Sequence, residues 1–142
     1  MAVYQRMDAL KETIKQVAKI AIALKETSQH DGGISIRLLN NDNDGHMNNI
    51  CTVTDVEQAL SGVYPGGGTA LGTELKRKVL VPFIVNVLER QRKKLDRPLL
   101  VTIVTDGEPC GEERDTLKNT ILWCKRYMEN MGYGPWGEFR IY

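Results

Sequence analysis

Six residues, Leu99-Leu100-Val101-Thr102-Ile103-Val104, form the most apolar run in the chain, and they do not alternate. A strand with one wet face alternates between apolar and polar positions. A continuous run is expected to be buried on both faces, as a central parallel strand between helices is. The run ends abruptly in Thr105-Asp106-Gly107-Glu108-Pro109. A strand of this kind needs neighbours and covering helices.

Both can be read from the periodicity. Met7, Leu10, Ile14, Val17, Ala21 and Leu24 recur at alternating steps of three and four, which predicts a long amphipathic helix starting almost at Met1. Asp31-Gly32-Gly33 stops it. Ile34, Ile36 and Leu38 alternate with Ser35 and Arg37 as in a strand. A polar loop containing Asp44-Gly45 then favours a hairpin return through Ile50 to Val53. Thr54, with Glu57 three residues on, reads as a capping box for a short helix whose apolar face is Val56, Ala59 and Leu60.

A loop through Pro65 and Gly66-Gly67-Gly68-Thr69 follows, and a second long helix starts near Gly72 with Leu75, Val79, Phe83 and Val87 on one face. Pro82 predicts a kink or two abutting helices. Leu117, Ile121, Cys124, Met128 and Met131 mark a further helix closed by Gly132, and Phe139 begins another strand. Strands alternating with helices predict an α/β chain: an open, mostly parallel sheet with helices on both faces and an antiparallel hairpin at its edge. Ligands of such sheets sit beyond the carboxyl ends of the strands, where Asp106 falls.

The 142 residues suit a single domain, residues 1–142. Nineteen basic against eighteen acidic side chains leave no field to recruit nucleic acid or an anionic membrane. No apolar run approaches the ~20 residues of a spanning helix, and the N-terminus lacks a secretory h-region. Cys51, Cys110 and Cys124 are too few and too scattered for a disulfide framework or a CxxC metal site. A soluble, cytoplasmic chain is expected.

Asp106 is the sharpest single residue. One step beyond a buried strand, its carboxylate needs a cation, a donor or a proton, or it simply turns the chain with Gly107 and caps nearby amides. Gly67 and Gly72 have phosphate-loop spacing, but Thr73-Glu74 stand where Lys-Ser/Thr should be, and a helix rather than a strand leads in. Asn40, Asp42, Asp44 and Gly45 match the opening of a calcium loop, yet Cys51 occupies the position that needs a bidentate glutamate. His30 and His46 have no ligand-spaced companions and read as exposed loop residues. Cys110 lies close to Asp106 without a histidine placed to activate it.

The glycine loop Gly67-Gly68-Thr69-Ala70-Leu71-Gly72-Thr73 and the run from Leu99 to Pro109, in this order and spacing, resemble the von Willebrand factor type A domain. The wording is closest to intracellular members from fungi and other microbial eukaryotes. The resemblance implies a Rossmann-like fold whose strand ends carry a metal-ion-dependent adhesion site for Mg²⁺ or Mn²⁺. Thr69 matches the family's threonine ligand and Asp106 its aspartate; Gly67, Gly68 and Gly107 shape the loops. The family's D-x-S-x-S motif and its central strand are absent, so the chain reads as a domain trimmed at both ends. Weak metal binding, exposed sheet edges and a marginal or oligomeric fold are then expected.

Three functions follow as expectations. The first is a non-catalytic protein-interaction module of the type A kind, whose partner presents an acidic side chain, with self-association through exposed edges. The second is a small α/β hydrolase or phosphotransferase using Asp106, with Glu108 or Cys110 assisting. The third is a purely structural or non-functional product.

Overall fold

The computed structural model describes residues 2–26, 33–42, 47–64, 66–91, 95, 98–105, 107, 109–133 and 139–141. The elements run α1 (Ala2–Glu26), α2 (Val53–Ser61), α3 (Leu71–Leu75), a π-helical stretch (Lys76–Val85), α4 (Asn86–Gln91), β1 (Leu99–Val101), α5 (Thr116–Asn130) and β2 (Phe139–Ile141). Helix takes up 60% of the described residues, so the chain is predominantly helical. It divides into two compact units: Met1–Gly67 with Val104–Asp106, and Gly68–Ile103 with Gly107–Tyr142.

In the first unit, Ala18, Met47, Ile50, Val56 and Leu60 form the core, with Ile14, Ile34 and Ile36 packed against it. The α1 face differs from the one its periodicity predicts. Ala18 and Ile22 are buried, whereas Met7, Leu10, Ile14, Val17 and Ala21 are only half-buried. Among the described residues the predicted hairpin is reduced to a single antiparallel bridge, in which Ile34 and Ile50 exchange N–H···O bonds of 2.9 Å and Ile36 donates to the Met47 carbonyl at 2.9 Å. A Cβ on Gly33 would run into the Asn49 carbonyl carbon, so this close approach requires glycine. The cap of α2 also moves: Thr52, not Thr54, is the N-cap, its hydroxyl accepting from the Asp55 N–H at 3.1 Å. Val56 and Leu60 bury the face expected of them.

In the second unit, Leu71–Gln91 is helical throughout, but its middle ten residues are π-helical and contain Pro82. Proline has no N–H to donate and crowds the carbonyl four residues back, so a regular α-helix is unfavourable there. The wider turn accommodates it: the Asn86 N–H donates to the Val81 carbonyl, five residues away. Leu80 and Ile84 of this stretch are fully buried with Leu75, Leu88, Cys124 and Met128. Burial pushes the Cys124 thiol up to about 11, which keeps it a neutral packing group. The Leu95 N–H donates to the Tyr133 hydroxyl at 2.7 Å.

The sheet is the main correction. Among the described residues it consists of β1 and β2 alone, three residues each, paired in parallel with Leu99 opposite Phe139 and Val101 opposite Ile141. A Rossmann-like open α/β sheet with helices on both faces is therefore not the fold. Nor is the apolar run buried on both faces. Leu99, Val101 and Ile103 pack on the core cluster, whereas Leu100 is 61% exposed. Strand preference measures fit to a pleated, half-buried surface more than an intrinsic backbone choice. Among the described residues β1 has one short neighbour, and the ladder extends no further than that neighbour does. The resemblance to the von Willebrand factor type A domain falls with the sheet, and so does the picture of a trimmed member of that family. Among the described residues, no helix is long and apolar enough to cross a membrane.

Candidate functional site

The best-organised polar constellation lies in the second unit, where residues 68–73 meet residues 110–112. Thr69 is held by its backbone: its carbonyl accepts from the Leu71 N–H at 2.8 Å and the Cys110 N–H at 2.9 Å, and its N–H donates to Cys110 Sγ at 3.2 Å. Glu112 closes the other side. Its carboxylate accepts from the Gly72 N–H at 2.8 Å, the Thr73 N–H at 2.9 Å and the Thr73 hydroxyl at 2.8 Å. These N–H groups open α3 and have no partner within the helix. Ala70, the residue at the N-cap, makes no side-chain cap bond, so Glu112 does that work from forty residues away.

Burial raises the Glu112 pKa, but the bonds from Gly72 and Thr73 outweigh it and hold the carboxyl below its usual value. A carboxyl with a depressed folded-state pKa stabilises the fold above its unfolded value and loses that contribution as pH falls through the folded one. Glu112→Ala is expected to lower stability by about 1–2 kcal/mol at neutral pH, read from urea melts. Glu112→Gln is expected to flatten the loss of stability just below the ordinary carboxylate range. Equal acid limbs in the variant and the parent chain would show that Glu112 contributes nothing there.

The glycines have separate roles. Gly72 is buried, and a Cβ on it would stand 2.6–2.7 Å from backbone atoms of Thr116 and Leu117, where α5 begins. The phosphate-loop spacing of Gly67 and Gly72 thus reflects packing at Gly72. Gly67 has φ +77°, a conformation that suits glycine, with the Asn40 amide against it; in the same unit the Asn40 amide donates to the Gly66 carbonyl. Gly68 lies near Cys110 Sγ, and a Cβ on Gly107 would meet nothing.

Asp106 lies outside the described residues, as do Glu108, His30, His46, Asp44 and Gly45. Of the three groups in the hydrolase expectation, Cys110 alone is described: an exposed free thiol. The metal-ion-dependent adhesion site loses the fold that implied it, and of its two expected ligands Asp106 lies outside the described residues. Among the described residues, no group of three or more His, Cys, Asp or Glu is placed to hold a metal ion. Glu112, the carboxylate that meets the loop after Thr69, accepts from the Gly72 and Thr73 N–H groups and the Thr73 hydroxyl. Glu112 escapes a reading of the sequence because nothing local marks a carboxylate that caps a helix forty positions earlier.

The first unit also holds a cleft of about 550 Å³ beside the Ile34–Ile50 bridge, lined by Met47, Asn48, Ile50, Asp55, Gln58 and Val63 among others. Its walls offer amides and one carboxylate over a small apolar floor. No family model matches the chain, and no curated protein or solved structure is detectably similar to it.

Proposed function

We propose that this chain is a protein-interaction module that works by pairing and burial rather than by turnover. One observation carries the reading. β1 belongs to a six-residue apolar run, and among the described residues it is Leu99–Val101 that is laddered, on one side, to a three-residue strand. Leu100 is left 61% exposed. A strand with an open side is a template for an extended partner segment, which gains main-chain hydrogen bonds and covers the exposed apolar side chain. The polar constellation around Glu112 supports this reading, since its acceptors are engaged in holding the backbone.

A benzoylphenylalanine photocrosslinker placed at Leu100 is expected to give a discrete adduct with the bound partner, or with a second copy of the chain. Thr102→Pro, which removes a donor just past the ladder, is expected to reduce that adduct without changing the melting temperature by more than a few degrees. Absence of any adduct, together with turnover of ester or phosphate substrates that is lost in Asp106→Ala, would overturn the reading in favour of an enzyme.

A further inference from the structure

The cleft of about 550 Å³ in the first unit has two walls, and both are held in place by the fold itself. One wall is the segment 47–50. It is pinned at both ends, because Ile36 donates to the Met47 carbonyl while Ile34 and Ile50 exchange their bonds. Between these anchors Asn49 has φ +53°, a left-handed conformation that asparagine adopts more readily than most residues. The other wall is α2. Asp55, Gln58, Ala59 and Gly62 recur along it at steps of three and four, on a face distinct from the one that buries Val56 and Leu60. The Thr52 cap fixes the start of that helix, and the Val63 N–H, donating to the Leu60 carbonyl at 3.2 Å, fixes its end. Met47 and Ile50, each 3% exposed, supply an apolar floor. Walls that need not rearrange spare an entering molecule the cost of ordering them.

The polar groups of the cleft select the chemistry of that molecule. Among the described residues, the Asp55 carboxylate and the Gln58 carboxamide make no hydrogen bond or ion pair. The Asn48 amide oxygen accepts from Arg37 at 2.6 Å, which leaves its NH2 as a donor. The Ser61 hydroxyl donates to the Gln58 carbonyl at 2.8 Å, which leaves its oxygen as an acceptor. Acceptors on Asp55, Gln58 and Ser61 thus stand with NH2 donors on Asn48 and Gln58. An anion would be repelled by Asp55. A cation would gain Asp55 but would face those donors and the Arg37 guanidinium held against Asn48. A wholly apolar molecule would cover Asp55 and Gln58 without giving them partners. Hydroxyl groups donate and accept at once, and they match the mixture. We infer that the cleft binds a neutral, polyhydroxylated small molecule of the monosaccharide class. Asp55 and Gln58 hold its hydroxyls, and its C–H face rests on Met47 and Ile50. The volume lies within the roughly 300–1,000 Å³ usual for small-molecule sites. The cleft belongs to the first unit and is independent of the β1 edge.

Saturation-transfer NMR on the full chain, with glucose, galactose, mannose and myo-inositol as probes at millimolar concentration, is expected to show transfer to at least one of them. Asp55→Ala and Gln58→Ala are each expected to weaken binding of that probe about tenfold. Both side chains are exposed, so the melting temperature of each variant should stay within a few degrees of the parent's. Absence of transfer to every neutral probe overturns the inference. Transfer that survives both substitutions unchanged also overturns it, since the probe then sits elsewhere. Glucosamine and glucuronate keep the sugar ring and add a charge of either sign. Transfer to one of these two and to no neutral probe would overturn the neutral class in favour of a charged ligand.

Discussion

Gly72→Ala is expected to destabilise the chain by about 3 kcal/mol, the upper end of what overpacking at a rigid site costs. The added methyl would lie 2.6–2.7 Å from the Leu117 N and Cα and the Thr116 carbonyl carbon. All three are backbone atoms, so no side-chain rotation relieves the clash, and α3 must move away from the start of α5. The same movement pulls the Gly72 N–H from Glu112, where it now donates at 2.8 Å. Thermal melts should show a fall of roughly 10 °C for a chain of this size. A double variant with Glu112→Ala should be less destabilised than the sum of the singles, because the first change already disturbs the second interaction. A Gly72→Ala chain as stable as the parent would mean that the two backbones do not approach this closely.

Leu80→Ala is expected to have an effect of similar or larger size, about 3–4 kcal/mol. Leu80 is fully buried within the π-helical stretch, among Leu75, Ile84 and Cys124. Its truncation removes apolar contacts and leaves a cavity that neighbouring turns cannot close without breaking the register Pro82 already perturbs. Val79→Ala, at a half-buried position one residue earlier, should cost about a third as much. The comparison is read from urea midpoints at constant m. Equal, small effects at both positions would contradict the burial of Leu80.

Much of the helical content is legible in the sequence. The three-and-four spacing of α1, the Val56–Leu60 face of α2, the long segment after the glycine loop and the Cys124–Met128 face of α5 all become helix within a few residues of the expected bounds. The strands are legible only as places. Ile34 and Ile50 do meet, and Leu99 and Phe139 do pair, but as one bridge and one three-residue ladder instead of an open sheet. The candidate site was the least legible. Thr69 lies at an organised loop, yet the group that organises the far side of that loop is Glu112, which no motif singled out.

The division has a physical cause. A helix closes its hydrogen bonds four residues away, so its period, caps and breakers are written within a single segment. The sequence alone determined where most helices lie, that the run through Gly66–Thr69 is a loop, and that Pro82 disturbs its helix. A strand closes its bonds on a partner any distance along the chain, and so does a carboxylate that caps a remote helix. Only the tertiary structure decided how far β1 extends, which arc of α1 meets the core, and that Glu112 completes the start of α3. In each case the deciding atom lies tens of residues away, and only the packed chain brings it within bonding range.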